Sequence, residues 1–184
     1  MLLGGAVNPQ VQADEAEFSL ISYLETHEID SYEEFIDLIE SVSPESVEKE
    51  EIDLEDISYF DIEVDYENMI VSVLTMGEGS YDRSHGASNS VSRTYYSDLG
   101  TKIFKITVSG TFSYSTGTCT ALSSGGSFTK PFYSNWSSTP SFTKGNINTS
   151  KAYARISGTA TSGGSTIAYS LTLTCDDSGT FGSY

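Results

Sequence analysis

Residues 101–119 read TKIFKITVSGTFSYSTGTC. Phe104, Ile106, Val108, Phe112 and Tyr114 fall on even positions, while Thr, Ser and Lys fill most of the odd ones. That period of two predicts a strand with one face in a core and the other in water. Gly110 interrupts the apolar series and predicts a flex, and Ser115-Thr116-Gly117 predicts a turn. A second series of this kind lies near the C-terminus, where Ile167, Tyr169, Leu171, Leu173 and Cys175 share one parity. It is the expected partner of the first, with Cys175 pointing inward. Shorter runs predict further strands. Residues 59–65 set Phe60, Ile62 and Val64 against Asp61, Glu63 and Asp65. Residues 69–76 are apolar on both faces, as a covered strand would be. Residues 87–96 are Ser-rich with loose alternation and predict an edge-type strand. Residues 127–136 place Phe128, Phe132 and Trp136 in phase, with Pro131 marking an edge or bulge. Residues 151–161 turn Ala152, Ala154, Ile156 and Ala160 inward. Residues 122–126 predict a turn and 137–148 a loop, and Ser162-Gly163-Gly164-Ser165 predicts a hairpin.

The period changes toward the N-terminus. Phe18, Ile21 and Leu24 recur at helical spacing. Tyr32, Phe35, Ile36, Leu38 and Ile39 form an amphipathic face behind a Ser31/Glu34 capping box. Helices are predicted over about 15–27 and 31–41, the second ended by Ser43-Pro44, and their plain use is to pack against a sheet. Residues 44–56 are acidic, with only Val47, Ile52 and Leu54 as apolar anchors, and read as a solvated linker. The whole predicts a mainly β fold. It is an antiparallel β-sandwich (Ig-like or jelly-roll-like) of seven or eight strands over residues 57–184, preceded by a short acidic α-helical N-terminal segment and linker at 14–56.

Charge sharpens this division. Of the 26 acidic residues 21 precede Asn68, with one Lys, a net of −20; the remainder carries five acids and eight Lys/Arg, a net of +3. No basic stripe exists to meet phosphates, so nucleic acid is excluded as a partner. Residues 1–13 combine a short apolar run with Val11-Gln12-Ala13, small residues at the −3 and −1 positions of a cleavage site after Ala13. They read as the remnant of a signal peptide, which predicts a secreted protein. No segment is apolar enough to predict a transmembrane helix. Cys119 and Cys175 lie 56 positions apart in strand-like segments. In an exported domain they would form one disulfide; in the cytosol they would be two buried thiols.

Candidate chemistry is sparse. Asp82-Arg83-Ser84-His85 holds the ingredients of a nucleophilic triad, but consecutive residues rarely converge into one. Glu78, Asp82, Asp98, Asp176 and Asp177 all fall in predicted turns, where Asp is at home. With His27 and His85 the only histidines, no metal site or cofactor is expected, and no EF-hand spacing is present. Aromatic residues carry more weight, since Tyr and Trp offer large contact areas at low entropic cost. Trp136, Tyr133, Tyr153 and Tyr95 are the candidate ligand contacts, with Trp136 foremost.

The segments Lys102-Ile103-Phe104 and Gly110-Thr111-Phe112-Ser113-Tyr114, with Cys119 and the closing Leu173-Thr174-Cys175-Asp176, give the chain a further likeness. It resembles small exported β-sandwich proteins of Gram-positive bacteria, families of unknown function that join a short acidic helical segment to a Ser/Thr/Tyr-rich sandwich. The resemblance covers roughly the C-terminal half and implies export and a Cys119–Cys175 disulfide. The expected function is a non-enzymatic module that binds an extracellular protein, glycan or wall polymer. A secreted hydrolase, and a toxin or bacteriocin-like effector masked by an acidic pro-segment, are the alternatives.

Overall fold

The computed structural model describes residues 18–47 and 57–184. The signal-like residues 1–13, the first turn of the predicted first helix and linker residues 48–56 lie outside the described residues. Among the described residues, helices α1 (Leu20–Thr26) and α2 (Tyr32–Val42) precede ten strands. These are β1 (Ile57–Asp65), β2 (Ile70–Gly77), β3 (Ser80–Tyr81), β4 (Gly86–Ser97), β5 (Lys102–Ser115), β6 (Thr118–Thr129), β7 (Ser141–Asn148), β8 (Lys151–Ser162), β9 (Ser165–Asp176) and β10 (Phe181–Ser183). They form two antiparallel sheets. The first has the order β1-β2-β4-β5-β6, with β3 added along β4; the second has the order β10-β9-β8-β7. No helix among the described residues is long and apolar enough to cross a membrane.

The alternation in β5 is realised in full. Phe104, Ile106, Val108 and Phe112 are completely buried against Ala152, Ala154 and Ile156 of β8 and Leu171 and Leu173 of β9. Each large side chain of this kind contributes about 1.5–3 kcal/mol by leaving water. The sheets of β5 and β9 are different, however. β9 is hydrogen-bonded to β8 and β10 and faces β5 across the core, so the two apolar series meet side chain to side chain.

Three further expectations change. β4 is central, not an edge: it lies between β2 and β5, with Tyr95 toward the sandwich core and Tyr96 toward the helices. Both of its faces are covered, so its alternation is weak. β6 runs straight through the predicted turn at 122–126. Gly126 has φ +146°, and a Cβ there would lie 1.9 Å from the Thr107 carbonyl oxygen. That glycine permits close pairing with β5 rather than a reversal. Gly110 lies where the two sheets meet. A Cβ on it would come within 2.9 Å of the Ala154 methyl and 2.8 Å of the Phe112 ring, so its role is close approach of the two sheets. The predicted loop at 137–148 contains β7, whose residues are exposed apart from half-buried Gly145, leaving no apolar period to read.

A third layer covers the outer face of the first sheet. Leu20, Ile21, Phe35 and Ile39 of the helices bury against Val71, Val73 and Tyr96, with Phe35 and Tyr96 edge to face at 5.4 Å. Ser31 caps α2 by accepting from the Glu34 amide, while the Glu34 carboxylate accepts from the Asp30 amide. The α1 end is held from outside the segment: Asp98, in the β4–β5 turn, accepts from the Ile21 amide at 2.8 Å and from the Ser19 hydroxyl at 3.0 Å. After α2, Ser46 accepts from the Lys102 amide at 2.9 Å.

Candidate functional site

The connection between the two sheets, residues 130–140, is irregular apart from one bridge between Ser137 and Thr161. Pro131 ends the strand pattern because it has no amide to donate. Ser134 then closes a turn onto the Pro131 carbonyl and gives its hydroxyl to the Ile103 carbonyl at 2.6 Å. Lys130 donates to the Ser134 carbonyl at 2.6 Å. Ser137 and Thr161 exchange two backbone hydrogen bonds, and Ser138 donates to the Thr159 carbonyl. The loop is therefore fixed at both ends to β5 and β8.

This anchoring brings Trp136 and Tyr133 together. They line an open cleft of about 270 Å³ with Asn135, Lys102, Thr101 and Ser162. Trp136 is half-buried, and its ring lies 5.8 Å from that of Phe104, so one face packs on the core and the remainder borders the cleft. Tyr133 is also half-buried. Its hydroxyl donates to the Glu45 carbonyl at 3.3 Å, tying the loop to the helical layer. Next to it Phe132 is 99% exposed, its ring meeting that of Tyr133 edge to face at 5.4 Å. Phe132 is not in phase with a strand as its spacing suggested, because β6 ends at Thr129 and the chain turns at Pro131. The proline was the available signal for this change.

The other two predicted contacts lie elsewhere. Tyr95 is a correction: it is buried in the sandwich, 4.4 Å from the Phe104 ring, and burial pushes its phenol up to about 12. Its position on a covered central strand is the reason. Tyr153 sits half-buried on the outer face of the second sheet, opposite Gly145 of β7. The Arg155 guanidinium lies 5.2 Å from its ring centre and donates to the Thr172 hydroxyl.

The Asp82–His85 segment closes on itself. Asp82 accepts from the Ser84 hydroxyl at 2.7 Å and from the Ser84 and Gly86 amides, both at 2.8 Å. The Ser84 hydroxyl, followed by the Gly86 amide, holds this carboxyl below its ordinary range. His85 has φ +62° and meets Tyr114 edge to face. The Ser84 hydroxyl thus serves the turn and not the imidazole. Asp176 plays the same part in the β9–β10 turn, accepting from Ser178 and Thr180, and Asp177 accepts from the Gly117 amide of the β5–β6 turn. Beside these turns, Cys119 and Cys175 are buried free thiols and not the disulfide that the resemblance implied, and Cys175 donates to the Asp176 carbonyl at 3.5 Å.

The molecule so defined is an antiparallel two-sheet sandwich with a docked helical layer and an aromatic cleft at the passage between its sheets. No protein-family model, curated protein or solved structure matches the chain significantly.

Proposed function

We propose that this chain is an exported, non-enzymatic sandwich that binds an extracellular protein, glycan or wall polymer through the 130–140 loop. The observation that carries this reading is Phe132, an aromatic ring held almost wholly in water on a loop that is otherwise tied down. A fixed loop loses little entropy on binding, and aromatic anchors of this kind dominate contact energies. Trp136 and Tyr133 extend the same surface into the cleft. Of the expected sandwich types, Ig-like or jelly-roll-like, strand order supports the packing but not a Greek-key return. Within each sheet the neighbours follow the chain, apart from the short β3 that pairs with β4.

Export and the likeness to Gram-positive secreted sandwiches belong to the same proposal. In an oxidising compartment Cys119 and Cys175 would pass two electrons and two protons to the disulfide of a thiol oxidoreductase and join β6 to β9. Closing that loop would stabilise the fold by about 4 kcal/mol on the chain-entropy model. The test of function is a pull-down with oxidised protein from wall polymers and secreted proteins, repeated with Phe132→Ala. Retention should fall at least about tenfold while the melting temperature stays unchanged, because Phe132 contributes little to the core. Equal retention by the variant would remove the loop as the binding surface. Trp136→Ala is the weaker test, since it also strips packing from Phe104.

A further inference from the structure

β1 is the outermost strand of the first sheet, and among the described residues only β2 pairs with it. Among the described residues nothing pairs with its other edge, and such an edge offers backbone donors and acceptors to an added strand. Two open clefts, of about 420 and 430 Å³, run along this edge between β1 and the helices, and both include Phe60. Leu24, Ile29, Phe60, Ile62 and Val64 give the edge an apolar side, each of them only half-buried. Glu28, Asp30, Glu33 and Asp61 line the same clefts, and among the described residues no Lys or Arg does. On the opposite face of β1, Glu63 is paired with Arg93 and Asp65 is bound to its own turn through Asn68, while Asp61 and Glu63 are both exposed.

We propose that the β1 edge accepts an extended, cationic segment of a partner protein as an added strand. Strand addition supplies main-chain hydrogen bonds, and alternate side chains supply the specificity. Here one parity of the incoming strand would lay Val- or Ile-like side chains on Phe60, Ile62 and Val64. The other would set Lys or Arg beside Asp61 and Glu63. The acidic lining selects this occupant over the alternatives. A second copy would bring like-charged β1 edges together. Residues 1–17 and 48–56 of the chain itself carry nine acids and one Lys between them. This surface is separate from the 130–140 loop, so the proposal stands independently of the one above.

The experiment uses the full chain and a fluorescein-labelled peptide alternating Lys and Val, about as long as β1. Anisotropy should show saturable binding that weakens at least about tenfold between about 0.05 M and about 0.5 M NaCl. Asp61→Lys, an exposed position, should weaken it at least about fivefold without changing the melt. A peptide N-methylated at every second residue on the pairing side should not bind, whereas charge attraction alone would retain it. Hydrogen exchange should slow at alternate β1 amides when the unmethylated peptide is added. Equal binding of the N-methylated peptide, or of a Glu/Val peptide, would overturn the proposal. So would a dimer of the free chain in sedimentation, or full protection of every β1 amide before peptide is added.

Discussion

At the scale of single residues, burial decides chemistry more than identity does. Cys175 is a thiol pushed up to about 12, by burial first and then by the neighbouring Cys119, and burial raises Cys119 as well. Unfolded cysteine ionises near about 8.5. The reduced fold therefore keeps its full contribution below that value and loses it as pH rises toward the folded values, since the unfolded chain ionises first. The urea midpoint of the reduced protein should drop between about pH 8 and about pH 9.5, where unfolded cysteine ionises ahead of most tyrosine. Oxidised protein, or Cys119→Ala with Cys175→Ala, should lack that drop; an equal drop in both forms would assign it to other groups. Trp136 and Tyr133 were legible as candidates because large aromatic rings stand out against a Ser/Thr background. Tyr95 was not, because its exposure depends on the strands either side of it. Phe132 was missed as the exposed ring for a related reason: its spacing from Phe128 is strand-like, but the turn at Pro131 breaks the phase.

At the scale of elements, ends matter more than middles. α1 has only seven residues and is far too short to be stable alone. Its first turn is held by Asp98, 77 positions away from the amide that it caps. Asp98→Ala should destabilise the protein by about 1 kcal/mol and accelerate amide exchange in α1 ahead of the sheets. Unchanged exchange in α1 would show that packing alone holds the helix. The sequence marked Asp98 as a turn residue, which it is, but gave no sign of the helix that would come to rest on it. β7 illustrates the converse. Its backbone is extended because β8 lies beside it, with Phe142 opposite Ile156 and Lys144 opposite Ala154, although its own side chains remain largely in water.

At the scale of the whole molecule, residues 18–47 of the acidic N-terminal segment form a layer on the first sheet. Phe35 is fully buried between α2 and the sheet, and the Ser46 and Tyr133 contacts fasten the same segment to the sandwich. Phe35→Ala should cost about 3–5 kcal/mol if the layers unfold together. The informative measurement is exchange resolved by residue. Loss of protection in α1, α2 and the outer side of β1 and β2, with β8 and β9 unchanged, would show that the helical layer opens on its own. Uniform loss would show one cooperative unit.

The sequence by itself determined which segments are extended or helical wherever one face is buried, and which side chains of β5, β8 and β9 point inward. Those properties follow from the period of the side chains along a strand or helix, which is local. Tertiary structure decided that β4 is central, that β6 continues through its glycines, that β7 is a strand, and that Tyr95 is covered while Phe132 is bare. Each of these depends on which neighbour supplies hydrogen bonds or excludes water, and that neighbour lies far away in the chain.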